Sequence, residues 1–321
     1  MEELNAQDKV QRLNNLIADE ELGMRQSLVL KQQLQESIDS EIAQRSQQHR
    51  AKMAILRNRD VHLRANGGAV PPKPLLLLAH GDSWFDYPLN GNALALHSTD
   101  IIAQLENMGT AHPVIMNLSH YGDSSSDEMA LPKQQRLIAC LQDATNWVNG
   151  KPDAILFSGG GNDIAGDKFC IFLDDASAGG SGLDRQRFPR LLAMIEASYL
   201  DLFALRDKYA PGVPIFGHCY DFAIPNGTHP SCAGPWLLPS LTFGGWTADQ
   251  GSAIVHQALT AFAATLRALA AVPANNFILV ETQGTLASSD WANELHPYPA
   301  GFKKIAARFV SALGLRFPGH I

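Results

Sequence analysis

The sequence lacks the features that mark several large classes of protein. Lysine and arginine total 25 against 32 aspartate and glutamate residues, a formal net charge of −7, so there is no basic excess to attract duplex nucleic acid or an anionic membrane surface. No run approaches the ~20 apolar residues that span a bilayer, and the N-terminus shows no secretory signal pattern. We therefore expect a soluble, cytoplasmic protein with no nucleic-acid partner and no integral membrane segment; export by a route that needs no signal peptide stays open.

Cysteine is scarce, and its spacing excludes the common metal motifs. No two cysteines, and no cysteine and histidine, stand at a metal-ligand spacing, so we expect buried reduced thiols and no metal or other cofactor. The glycine cluster at 159–161 is not followed by the Gly-Lys-Ser/Thr of a phosphate loop, which argues against a nucleotide site. The cysteines are Cys140, Cys170, Cys219 and Cys232.

Aromatic residues and proline are absent from residues 1–66. Apolar residues recur there at three- and four-residue steps, which predicts a helical extension. Gly23, and a gap in the apolar stripe between Ile42 and Met53, predict two or three helices. Two interpretations are open: a solvated helix packed on the chain's own catalytic domain, or a coiled coil or docking arm for a protein partner or for self-association. A stiff Gly/Pro linker is predicted over 67–74.

From Leu75 onward, short apolar runs alternate with amphipathic segments. This alternation predicts one domain over 75–321 with a three-layer α/β/α fold, flavodoxin-like, around a five-stranded parallel sheet. The predicted strands are Leu75–Ala79, Val114–Leu118, Ala154–Phe157, Val213–Phe216 and Phe277–Val280. The predicted helices are 92–108, 126–147, 187–209, 247–271 with Thr247 as N-cap, and 299–314.

Chemically useful groups follow four of the five predicted strands. The first is followed by Gly81-Asp82-Ser83, the second by a segment ending in Gly122-Asp123, and the third by Gly160-Gly161-Asn162-Asp163. The fifth leads into a segment from Asp290 to Pro297. Ligands of open parallel sheets bind at the carboxyl ends of the strands, so we expect these segments to share one site.

Taken in this order, the segments resemble the four sequence blocks of the SGNH (GDSL-type) hydrolase superfamily, over about residues 75–314. The Gly-Asp-Ser, Gly, Gly-x-Asn-Asp and His-Pro elements match at Ser83, Gly122, Asn162 and His296 with their neighbours. The resemblance implies a serine ester hydrolase, esterase or lipase-like, that forms an acyl-enzyme intermediate. Its substrate would be a small-molecule ester, a lipid ester or an acetylated sugar.

The resemblance also implies roles for individual residues. Ser83 would be the nucleophile and His296 its base. The backbone N–H groups of Ser83 and Gly122 and the amide of Asn162 would form the oxyanion hole. The sequence departs from the family pattern at Asn293, where an aspartate three residues before the histidine is usual.

The third catalytic member therefore stays open between Asn293 and Asp290. Glu294, Asp221 and a backbone carbonyl are weaker candidates. We read His80, although it lies near the nucleophile, as structural.

The segment 222–246 contains four prolines and two tryptophans. It predicts either a rim or lid over a substrate or a structural insertion. We predict Trp84 and Trp236 as substrate-binding residues. The Asn293 departure and the unmatched residues 1–66 motivate an alternative function: a degenerate hydrolase domain that serves as a binding or delivery protein through its N-terminal helices.

Overall fold

The structure, a computed structural model of the chain, describes residues 6–65, 73–87, 99–109, 111–228 and 234–321. It separates into two compact units, Met1–Gln47 and Gln48–Ile321. The division lies within one helix, α1 (Ala6–Ala65). Residues 48–65 thus belong to the same unit as the α/β domain, whereas residues 67–72 of the predicted linker lie outside the described residues.

Helix α1 is uninterrupted over 60 residues, so the prediction of two or three helices was wrong. A glycine inside a helix costs only ~1 kcal/mol relative to alanine, and the segment contains no proline to break it. In the first unit the side chains of residues 19–37 are all exposed. In the second unit Met53 is fully buried, and His49 Nε2 lies 2.8 Å from the carbonyl oxygen of Asn146.

The strands of the described residues are β1 (Leu76–Gly81), β2 (Val114–Asn117), β3 (Ala154–Ser158), β4 (Ile215–His218) and β5 (Phe277–Val280). They form one parallel sheet in the order β2-β1-β3-β4-β5. The predicted three-layer fold with a five-stranded parallel sheet is confirmed. Strands β1, β3 and β4 are buried along their whole length, as expected of a parallel sheet covered by helices on both faces.

The described α-helices that follow α1 are α2 (Ile101–Leu105), α3 (Ser125–Glu128), α4 (Leu131–Gln142), α5 (Gly161–Ile164), α6 (Phe188–Tyr209), α7 (Leu238–Phe243), α8 (Ala248–Ala270) and α9 (Pro299–Arg316). The five predicted helices agree with them except in two places. The predicted helix 126–147 is divided into α3 and α4, because Pro132 occupies the first turn of α4, where proline is tolerated. Of the predicted helix 92–108, residues 92–98 lie outside the described residues, and α2 covers only a short part of the rest.

Helix α8 begins with the predicted cap, Thr247, which forms a reciprocal capping box with Gln250. Among the described helices it alone is long and apolar enough to cross a bilayer by length and composition. Its apolar face packs in the fold against β5, α6 and α7, and 44% of its most apolar window is buried. The helix contributes buried apolar side chains to the core, among them Ile254, Leu259 and Phe262, and a core helix can meet the same criterion as a membrane span.

The topology determines where a site can form. From β1 the chain moves to β2 on one side and then crosses to β3 on the other. The loops after β1 and β3 consequently diverge at the carboxyl edge of the sheet and leave a crevice there, which is where ligands bind in open α/β sheets.

Candidate active site

Ser83 lies in the turn that follows β1. At Gly81, the last residue of the strand, a Cβ atom would lie 2.5 Å from the carbonyl oxygen of Ser158 on β3, so only glycine allows this approach. The N–H of Asp82 donates to that same carbonyl at 3.0 Å. The turn is thereby attached to two central strands, which places Ser83 at the crevice.

Ser83 and His296 meet there although 213 residues separate them in the sequence. The hydroxyl Oγ of Ser83 donates to Nε2 of His296 at 2.6 Å. Both residues are largely buried, with 7% and 6% of their surface exposed. A serine hydroxyl bonded to an imidazole nitrogen in this way can lose its proton as it attacks an electrophile.

Asn293 occupies the orienting position behind the imidazole. Its Oδ1 lies 3.1 Å from Nδ1 of His296, and it also accepts the backbone N–H groups of Leu295 and His296 at 3.0 and 2.9 Å. Its Nδ2 donates to the hydroxyl of Tyr87 at 3.1 Å. Because two backbone donors hold the amide oxygen toward the ring, Nδ1 carries the proton and Nε2 is free to accept one from Ser83.

Asp290, the other candidate for this position, does not contact His296. Its carboxylate oxygens accept from Nζ of Lys304 at 2.7 and 2.8 Å and from the N–H of Ala287 at 2.8 Å. The hydrogen bond from Lys304 holds the pKa of Asp290 below its usual value. Asp290 thus links the loop before His296 to Lys304, and of the two alternatives the structure brings only Asn293 to the imidazole.

The two weaker carboxylate candidates bind backbone instead. The Glu294 carboxylate is fully buried and joins the loop of His296 to the segment before α7. Asp221 joins the loop after β4 to the loop after β5. Each accepts four backbone N–H groups. The donors are Gly227, Trp236, Leu237 and Leu238 for Glu294, and Phe222, Gly284, Thr285 and Leu286 for Asp221.

The electrostatic environment keeps His296 neutral. Burial lowers its pKa to about 3, and its Nδ1 contacts a neutral amide rather than a carboxylate. Aromatic rings enclose the imidazole: the centroid of Tyr87 lies 4.6 Å away, and that of Trp236 lies 5.6 Å away, edge-on. A neutral imidazole is the form that acts as a base.

Three groups are candidate donors to an oxyanion. The backbone N–H groups of Ser83 and Gly122 have no acceptor within the described parts of the chain. Gly122 adopts a φ of +82°, a conformation that glycine adopts without strain. The amide Nδ2 of Asn162 donates to the carbonyl of Asp123 at 2.8 Å, which ties α5 to the loop of Gly122, and Asn162 lines the same cavity as Ser83 and His296.

A buried hydrogen-bond network adjoins the turn of Ser83, and the sequence did not reveal it. The carboxylate of Asp82 accepts from Ser158 Oγ at 2.7 Å and from the Tyr220 hydroxyl at 2.5 Å. Ser158 Oγ also lies 2.9 Å from Nε2 of His218. Burial raises the pKa of Asp82 to about 6. The sequence offered one signal for this network: Asp82, Ser158 and His218 all lie at the carboxyl ends of predicted strands.

The cavity beside Ser83 and His296 is lined mainly by apolar side chains. Trp84, predicted to bind substrate, lines it, and its Nε1 donates to the carbonyl of Leu295 at 3.1 Å, so it also supports the loop of His296. Trp236 stands against His296 rather than in the cavity lining. No group of three or more His, Cys, Asp or Glu residues able to hold a metal occurs among the described residues.

Comparison with known proteins gives distant similarities. No family model and no curated protein matches the sequence. Among solved structures, a lipase from a goat rumen metagenome is 14% identical, covers 74% of this chain and 97% of its own, and gives a TM-score of 0.49. An extracellular lipase from Streptomyces rimosus is 15% identical (74% and 99% covered, TM-score 0.46). An acetylxylan esterase from Geobacillus stearothermophilus is 17% identical (76% and 95% covered, TM-score 0.36).

Proposed function

We propose that this chain is a serine ester hydrolase that cleaves a carboxylic ester through an acyl-enzyme intermediate. The observation that carries the proposal is the 2.6 Å hydrogen bond from Ser83 Oγ to His296 Nε2 at the edge of an apolar cavity. The amide oxygen of Asn293 behind the ring and the free N–H groups of Ser83 and Gly122 supply the remaining parts of such a site. The four sequence blocks shared with SGNH hydrolases support the same assignment.

In the first step Ser83 Oγ attacks the ester carbonyl carbon while its proton passes to Nε2 of His296. The carbonyl π electrons move to oxygen, and the N–H groups of Ser83 and Gly122 and the amide of Asn162 stabilise the oxyanion. The oxyanion then re-forms the carbonyl, the bond to the alcohol oxygen breaks, and His296 returns its proton to that oxygen. The alcohol leaves, and the acyl group remains on Ser83.

In the second step water replaces the alcohol. His296 Nε2 takes a proton from the water as its oxygen attacks the acyl carbon. When the tetrahedral intermediate breaks down, Ser83 Oγ leaves and regains the proton, and the carboxylic acid is released. No cofactor takes part, since serine, imidazole and preplaced donors account for every bond made and broken.

The alternative function, a degenerate domain that serves for binding or delivery, was motivated largely by Asn293. The geometry weakens that motive, because Asn293 supplies an oriented acceptor to His296 Nδ1. A carboxylate would add stabilisation of the imidazolium, but its absence leaves both the tautomer and the position of the base intact. We therefore favour the hydrolase.

The test is the Ser83→Ala variant with p-nitrophenyl acetate and a fluorophosphonate probe. We expect turnover to fall by ~10⁴-fold or more and labelling to disappear. Ser198→Ala is the matched control, because Ser198, on α6 and outside the site, has the same exposed fraction of 7% as Ser83. Turnover that persists in Ser83→Ala at the wild-type level would rule out the proposal.

A further inference from the structure

We infer that Tyr220 is a positioning residue of the proposed hydrolase, acting on the turn of Ser83 and on the segment of Asn162. It follows β4, which alone among the described strands leads into none of the four sequence blocks. The inference rests on the proposed function and adds to it a group outside the expected serine, histidine and oxyanion-hole residues. Its consequence is a stabilisation of the transition state with little effect on the binding of the ester.

The backbone of Tyr220 is strained. Its φ is +55°, and among the described residues only Asn276 is another non-glycine residue with a positive φ. Asparagine adopts this left-handed conformation readily, whereas a tyrosine does so at a cost of roughly 1–3 kcal/mol. The N–H of Tyr220 donates to Nδ1 of His218 at 3.2 Å, and Oγ1 of Thr282 donates to its carbonyl at 2.6 Å. Strain that the fold maintains in this way is typical of functional sites, and Tyr220 lines the same cavity as Ser83.

The hydroxyl of Tyr220 acts on the turn of Ser83 through Asp82. It donates to Oδ2 of Asp82 at 2.5 Å, while Oδ1 of the same carboxylate accepts the backbone N–H of Trp84 at 3.0 Å. The carbonyl oxygen of Asp82 accepts two further N–H groups of the turn at 3.0 Å. The residues on both sides of Ser83 are thus fixed. The position of the Asp82 carboxylate therefore decides where the N–H and Oγ of Ser83 point.

The hydrogen bonds around this carboxylate all run toward it. Ser158 Oγ has a single hydrogen, which it donates to Asp82 Oδ1 at 2.7 Å, so it accepts from Nε2 of His218 at 2.9 Å. Nδ1 of His218 is then the acceptor for the Tyr220 N–H, and the two contacts agree on one tautomer. Burial raises the pKa of Asp82 to about 6, and the hydroxyls of Tyr220 and Ser158 act in the opposite direction. Both hydroxyls therefore favour the anion that holds the turn.

The ring of Tyr220 lies against the segment that carries Asn162. A Cβ atom at Gly161 would lie 2.8 Å from a carbon of this ring, so the two segments are in close contact. Gly161 directly precedes Asn162, whose amide belongs to the proposed oxyanion hole. One tyrosine therefore contacts both segments that supply donors, the N–H of Ser83 and Nδ2 of Asn162. Donors of this kind stabilise an oxyanion only when they are already placed on it.

The experiment compares full-length Tyr220→Phe with the wild type at pH 8, using p-nitrophenyl acetate as substrate and trifluoroacetone as inhibitor. Ser83 Oγ adds to the ketone carbon, its proton passes to His296, and the hemiketal oxygen takes the place of the oxyanion. The inhibition constant thus reports transition-state stabilisation.

We expect kcat of Tyr220→Phe to fall about tenfold or more, because the nucleophile and the donors lose their alignment. Acylation and deacylation use the same donors, so both should slow alike and KM should stay within about twofold. The inhibition constant of trifluoroacetone should rise by the factor by which kcat/KM falls.

A second variant and a control accompany Tyr220→Phe. Ser158→Ala removes the other hydroxyl that donates to Asp82, should lower kcat in the same way, and decides alone if Tyr220→Phe does not fold. Tyr199→Phe is the matched control, because Tyr199 is also buried but its hydroxyl donates to the carbonyl of Gly159 at 2.9 Å. We expect the control to lower the free energy of unfolding and to leave kcat within about threefold of the wild type.

The outcomes separate the two claims. A kcat within about threefold of the wild type in folded Tyr220→Phe or Ser158→Ala would overturn the inference. So would a fall in kcat without the matching rise in the inhibition constant, or an equal fall in Tyr199→Phe, since each would indicate a role in stability alone. The absence of both fluorophosphonate labelling and hydrolysis in the wild type would overturn the proposed function and the inference with it.

Discussion

Two buried histidines, His296 and His80, differ in the groups that they face. Both are almost fully buried, with 6% and 2% of their surface exposed, and burial lowers both pKa values, to about 3 and about 4. His296 Nε2 accepts from Ser83 and borders the cavity. His80 Nε2 lies 2.9 Å from the carbonyl oxygen of Glu128 and 3.0 Å from its carboxyl group, which is fully buried.

The comparison shows that a lowered histidine pKa does not by itself identify a catalytic base. What distinguishes His296 is a serine hydroxyl within hydrogen-bond reach of one ring nitrogen, an oriented acceptor at the other nitrogen and an adjoining cavity. His80 has a buried carboxyl group instead, and burial raises the pKa of that group well above its usual value. Since burial favours the neutral form of both groups, we expect His80 and Glu128 to form a neutral structural pair.

The largest effect should come from replacing each of the two histidines by alanine in turn. We expect His296→Ala to lower kcat by ~10⁴-fold or more, because the base is removed. His80→Ala should lower the free energy of unfolding but leave turnover per folded molecule within a few fold. Turnover of p-nitrophenyl acetate and chemical denaturation measure the two quantities. Comparable losses of kcat in the two variants would contradict the distinction.

A smaller effect should follow from a negative charge behind His296. In Asn293→Asp a carboxylate replaces the oxygen that lies 3.1 Å from Nδ1, and an adjacent anion favours the imidazolium and raises the histidine pKa. The base then becomes protonated at a higher pH, so the acid limb of kcat/KM should move upward by at least one pH unit from the wild-type position near the pKa of about 3. At pH 8 the imidazole of His296 is neutral in both the wild type and the variant. There kcat of Asn293→Asp should be about tenfold higher than that of the wild type, because the carboxylate stabilises the imidazolium that forms in the transition state.

The comparison variant is Asn293→Ala, which removes the acceptor without adding charge. We expect it to lower kcat about tenfold or more, since the imidazole loses its orienting partner. An acid limb that stays in place in Asn293→Asp would contradict the assignment of Asn293 as the orienting residue.

The smallest effect should come from Glu128. Its carboxyl oxygens make no geometrically sound hydrogen bond among the described residues, so Glu128→Met should be neutral or stabilising by about 1 kcal/mol. A carboxyl group whose pKa is raised on folding contributes stability at low pH that is lost as the pH rises through the raised value. The advantage of the variant should therefore grow from pH 5 to pH 8. A decrease of about 3 kcal/mol or more in the free energy of unfolding of Glu128→Met would instead indicate an ionised His80–Glu128 pair.

The parts of the molecule that were predicted correctly depend on local pattern. Strand β5 (Phe277–Val280) agrees with the prediction at both ends, because a short apolar run between polar loops leaves little choice. The meeting of Ser83 with His296 followed from their positions after β1 and β5. Parallel strands bring such positions to one edge of the sheet.

The parts that were not predicted depend on loop conformation and on distant contacts. Whether Asn293 or Asp290 reaches the imidazole is decided by the backbone of a loop, in which Asp290 is held by Lys304 on α9. The role of Glu294 depends on N–H groups 56 to 67 residues away. Tyr87 contacts Asn293 across 206 residues, and no periodicity or spacing reports such a contact.

The most direct test of the central claim is mass spectrometry of the protein after reaction with a fluorophosphonate. We expect one adduct per chain, mapped by peptide sequencing to Ser83, and a much slower reaction in the folded His296→Ala variant, where the base is absent. An adduct on another residue, or an unmodified Ser83 in protein that the reagent has fully inactivated, would contradict the claim that Ser83 is the nucleophile.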